Sequence, residues 1–298
     1  MWGAKDLIGI RLKPEDVPFA TPVEAWNCRV GQGFIEWLSE RLGGQFQRNA
    51  ADVGLVSDFT ILNGPEFDSS KVDPLIREFY EHTMRFELAV HPHWNPWFRP
   101  PFWLFRRLFA ERIDQFNLPF DNQEAKQGVK TRIETIDIDH DKIVDIRGWI
   151  RTYAESQRVI YVGLYSAVRL DGMGYVSVVF PMPNSNITAT LVPANLGTHD
   201  FILKTHDPNA RFAGDYIVMA DEESGTLDVF RMRFLREEIS VYVREEELFA
   251  DHSFYFDRIR FLTLKYTITR RRMPVPLGDI SVLLEAEDVK VRSDTAYP

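Results

Sequence analysis

The chain has 298 residues, 45% of them hydrophobic and 27% charged, with 22 Phe, 10 Tyr and 7 Trp and a net charge of −9. That length suffices for a sizeable core, while the acidic balance and the short basic pieces (Arg106-Arg107, Arg270 to Arg272) give no electrostatic reason to approach a phosphate backbone, which excludes nucleic acid as the expected partner. One cysteine, Cys28, excludes an intramolecular disulfide framework and multi-cysteine metal centres, and the absence of a secretory or membrane-spanning apolar run makes a cytoplasmic protein the expectation.

The first helix signal is Thr21-Pro22-Val23-Glu24, a capping threonine followed by proline at the first helical position and an acid that satisfies the cap amide. Phe34, Leu38 and Leu42 continue at helical spacing, and Gly43-Gly44 ends the run because glycine takes the left-handed cap conformation. Residues 45 to 70 read as loop. A second helix follows, with Val72, Leu75, Ile76, Phe79, Tyr80 and Thr83 on one stripe and Arg77, Glu78, Glu81, His82 and Arg85 opposite, and it should pack on a sheet.

After a short extended piece, Glu87 to Val90, the prolines of the segment from His91 to Phe102 forbid a continuous helix. A third helix is expected over roughly 101 to 116, with Phe102, Phe105, Leu108, Phe109, Ile113 and Phe116 facing a sheet and Arg106, Arg107, Glu111 and Asp114 outward. Trp103 falls among the charges. Because the apolar side is needed for core packing, contact with a membrane surface is not expected.

Beyond Pro119 the hydrophobic period changes to two. Apolar runs at 130 to 138, 142 to 153, 158 to 170, 173 to 182, 186 to 193, 199 to 204, 213 to 220, 226 to 234, 237 to 244 and 250 to 269, separated by turn residues, predict a meander of consecutive hairpins. Closing such a meander removes exposed edges, which favours a barrel or sandwich. The fold class expected is α+β: a helical N-terminal region (1–120) packed on a large antiparallel, barrel-like (lipocalin-like or similar) sheet (129–272), with a tail (273–298) holding one strand near Ile280 to Leu284. The three parts read as one integrated domain.

The strands have unlike faces. Ile146, Gly148, Ile150, Ile160, Val162 and Leu164 oppose Arg147, Trp149, Arg151, Tyr161 and Tyr165; in the next strand Val176, Val178 and Phe180 oppose Tyr175 and Ser177. Either the aliphatic face is the interior and the mixed face meets solvent, or the helices cover the aliphatic face and the mixed face lines a cavity of the aromatic, sparsely polar kind that holds small molecules.

Other chemistry reads weakly. His91 and His93 lack a third ligand at metal spacing, and Asp137-Ile-Asp139-His-Asp141 lacks the glycine and closing glutamate of a calcium loop, so no metal and no cofactor is expected. Glu134, Asp137 and Asp145 read as surface carboxylates, Ser166 has no nucleophile elbow, and Cys28 has no evident histidine partner.

Phe79-Tyr-Glu-His-Thr83, Trp94, Phe98-Arg-Pro100, Leu108-Phe109, Gln115-Phe-Asn-Leu-Pro119, Val162-Gly-Leu-Tyr-Ser166 and Val179-Phe-Pro-Met-Pro-Asn184 resemble an uncharacterised bacterial family of hypothetical proteins over roughly 55 to 272. That resemblance implies no activity or catalytic residue, and it does not extend to His91 and His93. The function expected is therefore binding of a lipophilic, anionic small molecule by Arg147, Trp149, Arg151, Tyr161, Tyr165 and Tyr175. The alternatives are a cyclase or isomerase using the same cavity, whose mark would be a buried carboxylate or histidine of perturbed pKa, and a structural or partner-binding protein with a filled core.

Overall fold

The computed structural model describes residues 9–20, 29–221 and 223–271. The Thr21-Pro22 cap and the tail strand lie outside them. Helix α1 (Phe34–Leu42) starts after Gly33 and ends where Gly43, at φ 68°, takes the left-handed conformation. Helix α2 (Pro74–Glu81) is capped by Asp73, whose side chain accepts from the Leu75 amide. Helix α3 (Arg99–Phe105) runs through a π turn, Arg106–Ala110, into α4 (Glu111–Ile113), and α5 (Asn122–Ala125) follows.

The strands are β1 (Ile10–Leu12), β2 (Gln45–Gln47), β3 (Phe86–Trp94), β4 (Val129–Asp137), β5 (Ile146–Tyr153), β6 (Val159–Leu170), β7 (Met173–Met182), β8 (Ser185–Leu196), β9 (Asp200–Lys204), β10 (Gly214–Asp221), β11 (Thr226–Arg231), β12 (Leu235–Arg244), β13 (Glu247–Phe256) and β14 (Ile259–Arg270). All belong to one antiparallel sheet whose main path runs β2-β4-β5-β6-β7-β8-β9-β12-β13-β14-β3. It is not a simple meander. The first half of β8 pairs with β10 and the second half with β9, so the β10–β11 hairpin, with β1 on its outer edge, branches off while β9 passes directly to β12. The run expected as one strand over 250 to 269 is two, because Asp257 turns the chain at φ 53°.

Strand β3 extends four residues past the expected piece, through Pro92, which is possible because β3 pairs only with β14 and its other edge needs no donor. The sheet therefore ends on β2 and β3 and is curved but not closed.

Both faces of β5 are buried. Helix α1 covers the aliphatic face, where Phe34, Ile35 and Leu38 pack on Ile146, Ile150, Val162, Leu164 and Val179. The helix lies so close that a Cβ on Gly148 would stand 2.4 Å from Ile35 Cδ1, so this strand position tolerates only glycine without repacking. Helix α2 and its neighbouring turns enter the opposite, concave face, with Phe59 in ring contact at 5.5 to 5.7 Å with Phe67, Tyr80 and Phe201.

Helix α3 corrects the sequence reading. Phe102, Ile113 and Phe116 are covered, but Phe105, Leu108 and Phe109 are 40%, 53% and 37% exposed. The cause is Arg106, which turns inward to an ion pair with Glu124 at 2.6 Å and lies over the Phe120 ring, rotating the expected apolar stripe toward solvent. Asp114 then ends the helix in the left-handed region, and Gln115 and Asn117 stitch the following segment onto β6 through Val162 and Val159.

Candidate functional site

The concave face encloses a cavity of about 350 Å³, within the ~300–1,000 Å³ typical of small-molecule sites. Its floor is Leu55, Phe79 and Tyr80 from the α2 region, its walls are aliphatic and aromatic residues of β5 to β9 and β12 to β14, and Trp94, Phe102, Phe105 and Phe261 stand at the α3 end. The charged lining is Arg151, Glu237 and His252.

Strand β5 delivers Arg151 because alternation turns it to the same side as Trp149, and the pairing Arg151↔Tyr161 sets the tyrosine beside it. Nη1 donates to the hydroxyls of Tyr161 and Tyr266 at 3.2 and 3.3 Å, and the guanidinium carbon lies 5.1 to 5.4 Å from the rings of Tyr266, Trp149 and Tyr161. Burial pushes the Tyr266 phenol up to about 12 and the Tyr165 phenol well above its ordinary value, so both stay neutral in the physiological range. Arg151 is 2% exposed, yet its Nε and Nη2 have no hydrogen-bond partner, and neither does Trp149 Nε1. No carboxylate among the described residues forms an ion pair with Arg151. A charge that cannot leave the guanidinium thus sits in an apolar wall with donors to spare, at a cost of several kcal/mol that an incoming anion would offset.

In the same lining His252 and Glu237 are 3.0 Å apart. Burial holds the His252 imidazole down at about 3, reinforced by the Arg151 charge, and raises the Glu237 carboxyl to about 7. Asp215, buried against Glu237, is pushed well above the carboxylate range by burial and by the Glu237 charge. At neutral pH His252 is uncharged and Glu237 is only partly ionised, so the charge of Arg151 is incompletely balanced.

Of the six residues expected to bind a ligand, Trp149, Arg151, Tyr161 and Tyr165 line the cavity and Arg147 and Tyr175 do not. Arg147 shares the phase of Trp149 but is buried beyond the cavity, donating to the Val144 carbonyl at 3.1 Å. Tyr175 is on the reverse face among Val192, Ala210 and Ala213, because the tight β6–β7 turn pairs Tyr165 with Val178 and so makes Val176, Val178 and Phe180 the lining residues of β7. Sequence reasoning passed over Glu237, His252 and Tyr266. Each interrupts an otherwise apolar alternation (Leu235, Ile239, Val241; Ala250, Phe254; Leu262, Leu264, Ile268), which is the pattern that marks a polar group turned inward.

The other candidates fall elsewhere. His91 and His93 are exposed on the outer face of β3, with no third ligand converging on them among the described residues. Glu134 is buried beside Arg132 at 2.9 Å, and burial raises its carboxyl. Asp137, Asp139 and Asp145 bring carboxylate oxygens within 4.8 Å of one another, a hard-oxygen set that can take a divalent cation, while they also cap the amides of Lys142, Asp141 and Ile138 in the β4–β5 turn.

No family model matches the chain, and no solved structure does. It is similar to an uncharacterized membrane protein, YndJ, of Bacillus subtilis (strain 168), with 31% identity over 248 residues, which is 83% of this chain and 42% of the relative. The chain thus spans less than half the length of that relative, whose name carries no activity, in accord with the resemblance to a bacterial family without one. No helix among the described residues is long and apolar enough to cross a membrane.

Proposed function

We propose that the chain binds a lipophilic anion, its carboxylate or phosphate head on Arg151 and its apolar body in the cavity. The observation that carries this reading is the buried Arg151 guanidinium, two of whose nitrogens have no hydrogen-bond partner, in the wall of a largely apolar cavity. Carboxylates and phosphates accept two parallel N–H bonds from such a fork, and Trp149 Nε1 offers a third donor in the same wall. A cavity of about 350 Å³ speaks for a ligand rather than a filled interior. A relative named as a membrane protein supports a lipid-like ligand, since such molecules are drawn from membranes. The test is native mass spectrometry of the protein purified from its own host, with extraction and identification of any bound species, followed by competition against a fluorescent long-chain carboxylate. An anionic amphiphile bound at one equivalent is expected; a neutral ligand, or none with no uptake of the probe, refutes the reading.

His252 and Glu237 support a second reading, an isomerase or cyclase on the same scaffold. Glu237, held near 7 in the cavity wall, is poised to exchange a proton with a bound apolar substrate, and His252 at 3.0 Å can orient it. Turnover of a bound ligand that Glu237→Gln abolishes without weakening binding would separate this reading from simple carriage.

A further inference from the structure

We infer that the α3 end of the molecule docks on an anionic lipid bilayer, with the cavity mouth turned to the membrane. The segment 94–114 carries four arginines against two acids, Glu111 and Asp114, in a chain of net charge −9, and with Arg106 paired inward to Glu124 the exposed cations are Arg107 and Arg112. On its outer side Trp97 is 87%, Leu104 50%, Trp103 49% and Leu108 53% exposed. Arg107 and Arg112 are exposed among them. The turn between β13 and β14 forms a second protrusion of the same composition, with Phe256 and Ile259 47% and 53% exposed beside Arg258 and Arg260. The two protrusions belong to one surface: Phe98 lies 6.4 Å from Phe256 and 5.4 Å from Phe261, and Phe261 in turn lines the cavity with Phe102 and Phe105.

This composition fits a bilayer surface better than a protein partner. Tryptophan, phenylalanine and leucine at the tips of a helix and a hairpin are protrusions, which enter a deformable interface, whereas a protein partner would need grooves matched to each tip. Arginines interleaved with them meet lipid phosphates at the depth where tryptophan rings reside. The π turn at Arg106–Ala110 directly follows the cavity-lining Phe105 and carries the exposed Leu108, so the helix that borders the cavity is also the one that meets the bilayer. The inference stands on surface residues and does not require that Arg151 bind an anion.

The test is co-sedimentation of the full chain with vesicles of phosphatidylcholine, with and without phosphatidylglycerol, accompanied by tryptophan fluorescence. Binding to the phosphatidylglycerol vesicles with a blue shift is expected. Trp97→Ser with Leu108→Ser should weaken it by about tenfold or more, and Arg107→Glu with Arg112→Glu by roughly fivefold per arginine, both lowered further by salt. These side chains are exposed, so the variants should keep the wild-type circular dichroism and melting temperature. Arg151→Met should bind vesicles as the wild type does, which separates this inference from the cavity ligand. Failure of the wild type to bind either vesicle, binding equal across all variants, or a dimer that Trp97→Ser converts to monomer would overturn it.

Discussion

Replacing Arg151 by methionine keeps an unbranched apolar stem, removes the guanidinium and its charge, and separates two roles that a buried arginine can have. If Arg151 is a structural strut, its loss removes two charge-assisted hydrogen bonds to Tyr161 and Tyr266, at the long end of their range at 3.2 and 3.3 Å, worth about 1.5 kcal/mol each. It also removes three ring contacts at 5.1 to 5.4 Å, worth about 0.5–1 kcal/mol each. Against these about 5 kcal/mol stands the several kcal/mol spent on desolvating an uncompensated charge and on leaving Nε and Nη2 without partners. The two sides nearly cancel. The melting temperature of the ligand-free variant should therefore move by less than about 6 °C, and upward is as acceptable as downward.

Affinity has no such compensation. Removing one member of a buried hydrogen-bonded charge pair costs about 2–5 kcal/mol, so the variant should bind a long-chain carboxylate at least about thirtyfold more weakly than the wild type. Isothermal titration with the same carboxylate, on protein first stripped of bound lipid, measures it alongside differential scanning calorimetry of the empty form. Arg151→Lys should recover only part of the affinity, because an ammonium lacks the two-pronged geometry. A methionine variant that melts far below the wild type and still binds the carboxylate unchanged would refute the assignment of Arg151 to the ligand.

Arg147→Ala and Tyr175→Phe should leave ligand affinity within twofold, about 0.4 kcal/mol, since neither side chain reaches the cavity; a loss comparable to that of Arg151→Met would mean that the bound state uses a different wall. Gly148→Ala should destabilise the fold by about 1–3 kcal/mol through the clash with Ile35, and Ile35→Val should restore part of it; denaturant midpoints of the double-mutant cycle test whether α1 is seated on this strand. The Asp215, Glu237 and His252 cluster gives the stability a distinctive pH dependence. Burial raises the Asp215 and Glu237 carboxyls in the folded state, so the stability carried by their protons is present at low pH and is lost as pH rises toward the folded Glu237 value of about 7. Below about pH 4 the unfolded chain protonates all three and the folded His252 does not, so stability should fall again as pH drops. Urea midpoints across pH should show this maximum, and Glu237→Gln should flatten the upper limb; parallel profiles for variant and wild type would show that Glu237 is ionised in the fold.

What the sequence made legible was whatever depends on local periodicity. Alternation in β5 and β6 placed Trp149, Arg151, Tyr161 and Tyr165 on one face, and the structure has them together because the two strands pair odd residue with odd residue. The same reasoning failed one hairpin later at Tyr175, since parity changes across the β6–β7 turn and nothing within a strand announces which residues pair. The branch at β8 was illegible for a related cause: β9 finds β12 across an intervening hairpin, a long-range choice made by packing. At α3 the helical period was read correctly, but an ion pair between Arg106 and Glu124, eighteen residues apart, decided which side turned inward. Arg106, on the charged side of the helix, was there taken to face solvent when it had a partner waiting beneath it.

The inward turn of Arg106 also bears on how the cavity and its surroundings fit together. Burying a guanidinium in an ion pair with Glu124 frees the aromatic side of the helix from core duty, and of the side chains so released, Phe105, Leu108 and Phe109, Phe105 stands in a stretch of wall that is built from helix and loop and not from paired strands. Strand walls are fixed by their ladders, whereas a short helix interrupted by a π turn, tied by backbone hydrogen bonds only near its ends, at Asn95 and Ile113, is the part of the wall that can open at low cost. Arg106→Ala should thus act at a distance from the ligand. Loss of the Glu124 pair lets the helix roll its aromatic side inward, so uptake of a fluorescent carboxylate should slow severalfold with its equilibrium affinity changed far less than by Arg151→Met. Stopped-flow uptake and titration read the two quantities separately. Equal losses in rate and affinity would place Arg106 in the binding site itself and remove the basis for treating α3 as the entrance.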